Sequence, residues 1–265
     1  MIRVIKVGGR PQSDPALSKA LASAHRATFV APVAPGVPLD GLVVVHGGGD
    51  EVSTLQRLYG IKAEFKGGRR VTSARDIEII RMALSGSANK RLVSALVSEQ
   101  VPAIGLSGED AGLLVSEPLD LEQFGFVGAS VYVYTPVLHI LLASHFMPVV
   151  SPVSRCADPS VGEVLNVNGD DAATAIAIAM KAEELLFVSD VEGVLVNGSP
   201  VGMLAPEDAQ RLIDDGTARG GMSAKLQAAL AALEGGAERV RISDIAAIEQ
   251  LDRGTVLTRV GSVCA

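Results

Sequence analysis

Six short runs of β-branched and aliphatic residues punctuate the chain, and many of the gaps between them hold a segment with helical periodicity. The runs are IRVIKV (2–7), LVVV (42–45), AIGL (103–106), MPVV (147–150), LLFV (185–188) and RVRI (239–242). The helical segments include PALSKALASAHRA, ARDIEIIRMALSG, SANKRLVSALVSEQ, DAATAIAIAMKAEE and MSAKLQAALAALEGG. Parallel strands need crossovers of the length that a helix supplies, and strands apolar on both sides must be covered on both faces. The alternation predicts an α/β fold, a three-layer αβα sandwich with a mainly parallel central sheet. In such sheets ligands sit beyond the carboxyl ends of the strands.

Composition agrees with that architecture. Hydrophobic residues make up 48% of the 265 residues, yet aromatics are only 3% and Trp is absent, so the core must be built from Val, Leu, Ile and Ala. No repeat and no compositional break appears, which predicts a single domain over 1–265 with two lobes, about 1–165 and 166–265, around a cleft. A formal net charge of −7 opposes binding to nucleic acid or to an anionic membrane as a global property. No apolar run approaches the ~18 residues of a membrane span, and MIRVIKVGGR lacks signal-peptide order, so a cytoplasmic protein is expected. Cys156 and Cys264 have no spacing that suggests a disulfide framework or a zinc site. APVAPGVPLDG (31–41) reads as a Pro-rich loop. The stretches 62–75 and 113–134 alternate like hairpins and are expected to form a lid or rim.

The second strand runs into HGGGD (46–50), more bare backbone than a tight turn requires. Glycines at a strand tip before a helix let a ligand approach the main chain, where unpaired N–H groups attract anions. The standard phosphate motifs are missing: there is no G-x-x-x-x-G-K-[ST], no G-x-G-x-x-G after the first strand, and no H-R-D with D-F-G. Four local groups remain, each at a strand end or helix start: KVGG with Lys6, HGGG, LNVNGDDAA with Asn166, Asn168 and Asp170, and GGMSAK with Lys225. Singly, each has a plain alternative as a surface lysine or a helix cap. Together they supply two cations, two glycine loops and one carboxylate, the parts that carry a phosphoryl group to an anionic acceptor. His46 reads as scaffold, because a lone histidine at a strand end is more often hydrogen-bonded structure than an acid or base.

In their order, KVGG, VVVHGGG, GRRVTSARDIEIIRMALSGSANKRLV, IGLSGEDAGLL, PVVSPV, LNVNGDDAATAIA, LLFVSDVEGVL and GGMSAKLQAAL resemble the amino acid kinase family over nearly the whole chain. The branch they resemble most phosphorylates the γ-carboxylate of N-acetyl-L-glutamate with MgATP in arginine biosynthesis. The resemblance implies the amino acid kinase fold, ATP and Mg2+ as cofactors, and no protein metal site. It implies that Lys6 and Lys225 are catalytic and that Asp170 organises them. Gly48, Gly49, Arg70 and Asn166 would bind the acyl amino acid, with Arg70 on its α-carboxylate. Gly9, Ser189, Asp190, Gly193 and Gly221 would contact phosphate or nucleotide.

Four departures accompany the likeness. Gly169 stands where the family usually has alanine, and Arg69 where it often has an apolar residue, so which of Arg69 and Arg70 faces the substrate stays open. The segment 114–135 is compact, which leaves N-acetyl, N-succinyl and carrier-linked acceptors all compatible. The chain also starts directly with its first strand, whereas arginine-inhibited members carry an N-terminal helix that links dimers into hexamers. A homodimer not inhibited through such a helix is therefore expected, with regulation by a PII-type partner left open. Two other readings compete: a kinase for 2-aminoadipate or glutamate on an acidic carrier protein, for which FKGGRR offers only a small basic face, and a non-catalytic nucleotide-binding module, which would be expected to have lost one of Lys6, Asp170 and Lys225.

Overall fold

The computed structural model describes residues 1–28, 40–196 and 198–259. Most of the Pro-rich stretch, residues 31–39, and Cys264 lie outside the described residues. Among those described, seven strands form one sheet in the order Thr255–Thr258, Arg239–Ser243, Glu184–Val188, Ile2–Val7, Gly41–His46, Met147–Ser151, Ala103–Ser107. All neighbouring pairs are parallel except the edge strand Thr255–Thr258. The six expected strands are all present, and the first of them occupies the middle of the sheet.

Strand periodicity sorts side chains between two aliphatic cores. Ile2, Val4, Val43, Val45, Leu185, Phe187, Val240 and Ile242 pack with helices Gly169–Ala179 and Gly221–Glu234. Ile5, Val7, Leu42, Val44, Leu186 and Val188 pack on the other face with Ala16–Thr28 and Asn89–Ser98. Lys6 continues the row of Ile2 and Val4, so its side chain leaves the sheet on the side of the first pair of helices. That parity delivers a lysine to the N-termini of two helices.

Beside the sheet, Leu114–Pro118, Val127–Val133, Val153–Cys156 and Val164–Val167 close into a four-stranded barrel. The antiparallel pairing expected within 113–134 is present. Its closure by two strands from further along the chain had no local signal, because the partners meet only through tertiary contact. The stretch 62–75 holds the small hairpin Phe65–Lys66 with Arg69–Arg70. The helices expected over 74–86 and 87–100 are joined through a π-helical segment, Arg81–Ala88.

One expectation gives way in a physically instructive manner. The helical pattern of 171–184 ends at Ala179, and Glu184, a good helix former, opens a strand and is fully buried. Its carboxylate receives Arg3 Nε at 2.7 Å, Arg241 Nε at 2.6 Å and Arg239 Nη2 at 2.9 Å. Arg241, also fully buried, spends its other donors on the carbonyls of Ala247, Gln250 and Arg253. Burial alone would raise the Glu184 pKa, but the Arg241 hydrogen bonds and the surrounding guanidinium charges hold it below the usual value. This stabilisation is present above the unfolded carboxylate pKa, about 4.3, and is lost as pH falls through the lower folded value. Glu184→Ala leaves two buried arginines uncompensated and is expected to cost about 3 to 5 kcal/mol in urea unfolding at pH 7. A loss below about 1 kcal/mol, the scale of an exposed pair, would contradict that account.

Candidate active site

Lys6, Asp170 and Lys225 come from a strand and two helices and meet around one carboxylate. Asp170 Oδ1 lies 2.6 Å from Lys6 Nζ, and Oδ2 lies 3.7 Å from Lys225 Nζ. Asp170 is 5% exposed and Lys6 7%. Asp170 sits in the first turn of Gly169–Ala179, whose N-cap Asn168 accepts the Asp170 backbone N–H at 2.8 Å, so the carboxylate is held at its base. Burial alone would push its pKa up, but the two ammonium groups outweigh this and keep it ionised. Lys225 is shifted down, first by burial and further by Lys6, with Asp170 opposing. Two positive charges against one leave a net positive centre in a site shielded from water, suited to an incoming anion.

Glycines precede three helical segments nearby. The helices starting at Arg10, Gly49 and Gly221 have glycine N-caps, Gly9, Gly48 and Gly220, and none receives a side-chain capping bond. The N–H groups that open the helix at Gly49 can face a ligand, whereas in the Arg10 segment Pro11 has none and Gln12 bonds to Gly9 O, and in the helix at Gly221 Met222 bonds to Arg219 O. Gly48 has φ 146°, a conformation that demands glycine, and a Cβ there would also press on Leu84 Cδ2 at 2.7 Å. The KVGG and HGGG loops lie side by side: a Cβ on Gly47 would be 3.7 Å from the Val7 carbonyl oxygen and 4.0 Å from Gly9 N.

A cavity of about 170 Å³ adjoins this centre, and Gly48, Gly49, Arg70, Asn166, Asn168 and Gly169 line it. Arg70 points inward: Nη2 donates to Gly49 O at 2.9 Å and Ser53 Oγ at 2.8 Å, Nη1 donates to Gln56 Oε1, and the guanidinium stacks 4.6 Å from the Phe65 ring centroid. Arg69 turns the other way and pairs with Asp171 at 2.7 Å. Asn166 donates to Thr72 Oγ1 at 3.1 Å. Ser189 and Asp190 lie in a separate depression, where Asp190 pairs with the exposed Arg10 at 3.1 Å. Gly193 is set apart from these: its Cα packs against Thr255, whose Oγ1 would be 2.7 Å from a Cβ. Gly221 opens its helix with nothing within 4 Å of a Cβ.

A sequence profile of the amino acid kinase family matches residues 1–244. A protein named acetylglutamate kinase from Chloroflexus aurantiacus is 43% identical over 259 residues, covering 97% of this chain and 96% of its own. The chain belongs to the amino acid kinase family. A second relative with the same name, from Roseiflexus castenholzii, is 39% identical over 262 residues, 98% of this chain and 95% of that one. The solved structure of smu.665 from Streptococcus mutans UA159 aligns with a TM-score of 0.83 at 26% identity, covering 97% of this chain and 98% of that chain. The sheet and its flanking helices are thus those of an amino acid kinase.

Two contributors to this amino acid kinase site carried no usable sequence signal. Gln56, 1% exposed, links Arg70 to Asp76 by donating Nε2 to Asp76 Oδ1 at 2.5 Å. Asn89, fully buried, reaches the ring of His46. Both are polar residues inside helical segments, indistinguishable from surface positions until the partners are in view.

Asp170 raises the Lys225 pKa against burial, so its removal must lower that pKa further. In Asp170→Asn, the Lys225 ammonium is expected to deprotonate at lower pH than in the wild type, measured by NMR titration of 13C-labelled lysine. An unchanged or higher value would show that Asp170 does not hold Lys225.

Proposed function

We propose that the protein transfers the γ-phosphoryl group of ATP to the γ-carboxylate of N-acetyl-L-glutamate, forming an acyl phosphate and ADP in arginine biosynthesis. The observation that carries this reading is the buried carboxylate holding two lysines beside uncapped glycine N-termini. The relatives named acetylglutamate kinase support the choice of acceptor.

The acceptor carboxylate is already ionised at neutral pH, with an ordinary pKa of about 4.3, so no general base is needed. One of its oxygens bonds to the γ-phosphorus as the bond to the β–γ bridging oxygen breaks, and that electron pair leaves on ADP. The obstacle is repulsion among the oxygens. Lys6 and Lys225 offset it with compact mobile charges, while the N–H groups at Gly9, Gly48 and Gly49 receive the equatorial phosphate oxygens. Arg70 holds the acceptor's α-carboxylate and Asn166 orients it. Ser189, Asp190, Gly193 and Gly221 belong to the nucleotide side, Gly193 by packing its loop. On this reading, residues before about 165 serve mainly the acceptor, and those after it ATP.

Mg2+ enters with the nucleotide. The centre's buried carboxylate, Asp170, already has both oxygens against ammonium groups, and no cluster of three or more His, Cys, Asp or Glu capable of holding a metal occurs among the described residues. The ion would therefore be held by phosphate oxygens and water, a usual arrangement for Mg2+, and would shield phosphate charge. A cytoplasmic homodimer is part of the same proposal, and light scattering tests the assembly.

An ATP-dependent hydroxamate assay comparing N-acetylglutamate, N-succinylglutamate, free glutamate and carrier-linked 2-aminoadipate decides the acceptor. Highest kcat/KM with N-acetylglutamate is expected, and activity confined to the carrier-linked acid would overturn the assignment. Lys6→Ala and Lys225→Ala are each expected to lower kcat about a hundredfold to a thousandfold. Arg70→Ala should chiefly raise the acceptor KM. Near-normal kcat in both lysine variants would remove them from the transition state.

A further inference from the structure

We propose that Asn89 is a positioning residue for the phosphate cradle, setting the tautomer of His46 and thereby the direction of the Gly48 N–H. Asn89 follows directly on the π-helical turns Arg81–Ala88. The wider winding of a π segment shifts the face that each later residue presents, and such segments concentrate at functional sites. Here the shift accompanies a fully buried amide beneath the ends of three strands.

The shortest contacts around the ring favour one arrangement of protons. Asn89 Nδ2 lies 2.9 Å from Val149 O, 3.3 Å from Leu106 O and 3.1 Å from His46 Nε2. Two amide hydrogens serve these three contacts: the Val149 carbonyl, the nearest, takes one, and an unprotonated Nε2 takes the other, with Leu106 O at the long end of the range. Lys90 Nζ meets Asn89 Oδ1 at 3.2 Å, consistent with that orientation. At the other end of the ring, Nδ1 lies 2.7 Å from Gly47 O, again a pure acceptor, so Nδ1 carries the proton. Burial pushes the His46 pKa down to about 4, with the Gly47 bond opposing, so the ring remains neutral at physiological pH. Gln12 Nε2, a donor 3.3 Å from Nδ1, competes with the Gly47 carbonyl for the state of that nitrogen, and the closer 2.7 Å Gly47 contact favours the proton on Nδ1.

The consequence follows from peptide geometry. The Gly47 carbonyl and the Gly48 N–H belong to one planar trans unit and point in opposite directions. Fixing the carbonyl on the ring therefore aims the Gly48 N–H away from it, and Gly48 lines the cavity. Glycine alone would let this peptide rotate. A neutral imidazole held by an amide supplies the rigidity that the sequence HGGG lacks.

This role presupposes the phosphoryl transfer proposed above, and wild-type activity in the hydroxamate assay tests that premise separately. On the full-length, 15N-histidine-labelled wild type, NMR should show His46 neutral with the proton on Nδ1. A proton on Nε2 would overturn the proposal before any variant is made. Asn89→Ala should then lower kcat about tenfold or more per folded molecule, with both KM values changed less than threefold, since a preorganised donor acts mainly in the transition state. In a double-mutant cycle with His46→Ala, the effect of Asn89→Ala on kcat should largely vanish. Additive losses, or a kcat within twofold of wild type in folded Asn89→Ala, would reduce Asn89 to ordinary packing.

Discussion

Everything at the cleft depends on keeping two ammonium groups charged in a place that excludes water. Without a counter-charge, burial would drive both lysines toward their neutral forms. Asp170 prevents this by lying between them, and Asn168 holds the Asp170 backbone in turn. The arrangement is strongly three-dimensional: one lysine projects from a central strand, the other from a helix, 55 residues after the acid. A parallel sheet makes the meeting unavoidable, because the C-terminal end of each strand and the N-terminal end of each following helix share one edge. The same edge gathers the helix N-termini whose N–H groups no side chain has capped.

The electrostatics also explain why the site tolerates an excess of positive charge. A salt bridge with equal numbers of charges would be complete and would offer an anion nothing. Here the carboxylate is outnumbered, an imbalance that the proposed function assigns to phosphate oxygens. At the opposite edge of the sheet Glu184 is outnumbered by three arginines as well, but there main-chain carbonyls absorb the surplus guanidinium donors. One cluster is closed by the protein itself and is structural; the other is left open.

Much of this was legible in the sequence. The strands were visible as aliphatic runs, and Lys6, Asp170 and Lys225 each lay beside a glycine or a cap that marked a strand end or helix start. Local patterns failed where partners lay far away. The closing strands of the four-stranded barrel, the edge strand Thr255–Thr258 and the helices Pro136–Ala143 and Pro206–Asp214 had weak or short signals. Glu184 reads as a helical residue because its arginines come from positions 3, 239 and 241. Asn89 and Gln56 matter through what they touch, and no periodicity encodes that. The choice between Arg69 and Arg70 was likewise undecidable from adjacent letters, since in a two-residue strand neighbours face opposite ways and only the helix opposite determines which way is inward.

The outward-facing neighbour has its own significance. Arg69 fastens the small hairpin to Asp171, the residue next to the central acid, through a pair in which both side chains are roughly one-third exposed. Contacts of that kind contribute about 0 to 1 kcal/mol, comparable with thermal energy. The hairpin is thus buttoned rather than welded on the Asp171 side, and its firm attachment runs through Arg70 to Gly49, Ser53 and Gln56 instead, so a substitution at Arg69 should loosen it far less than one at Arg70.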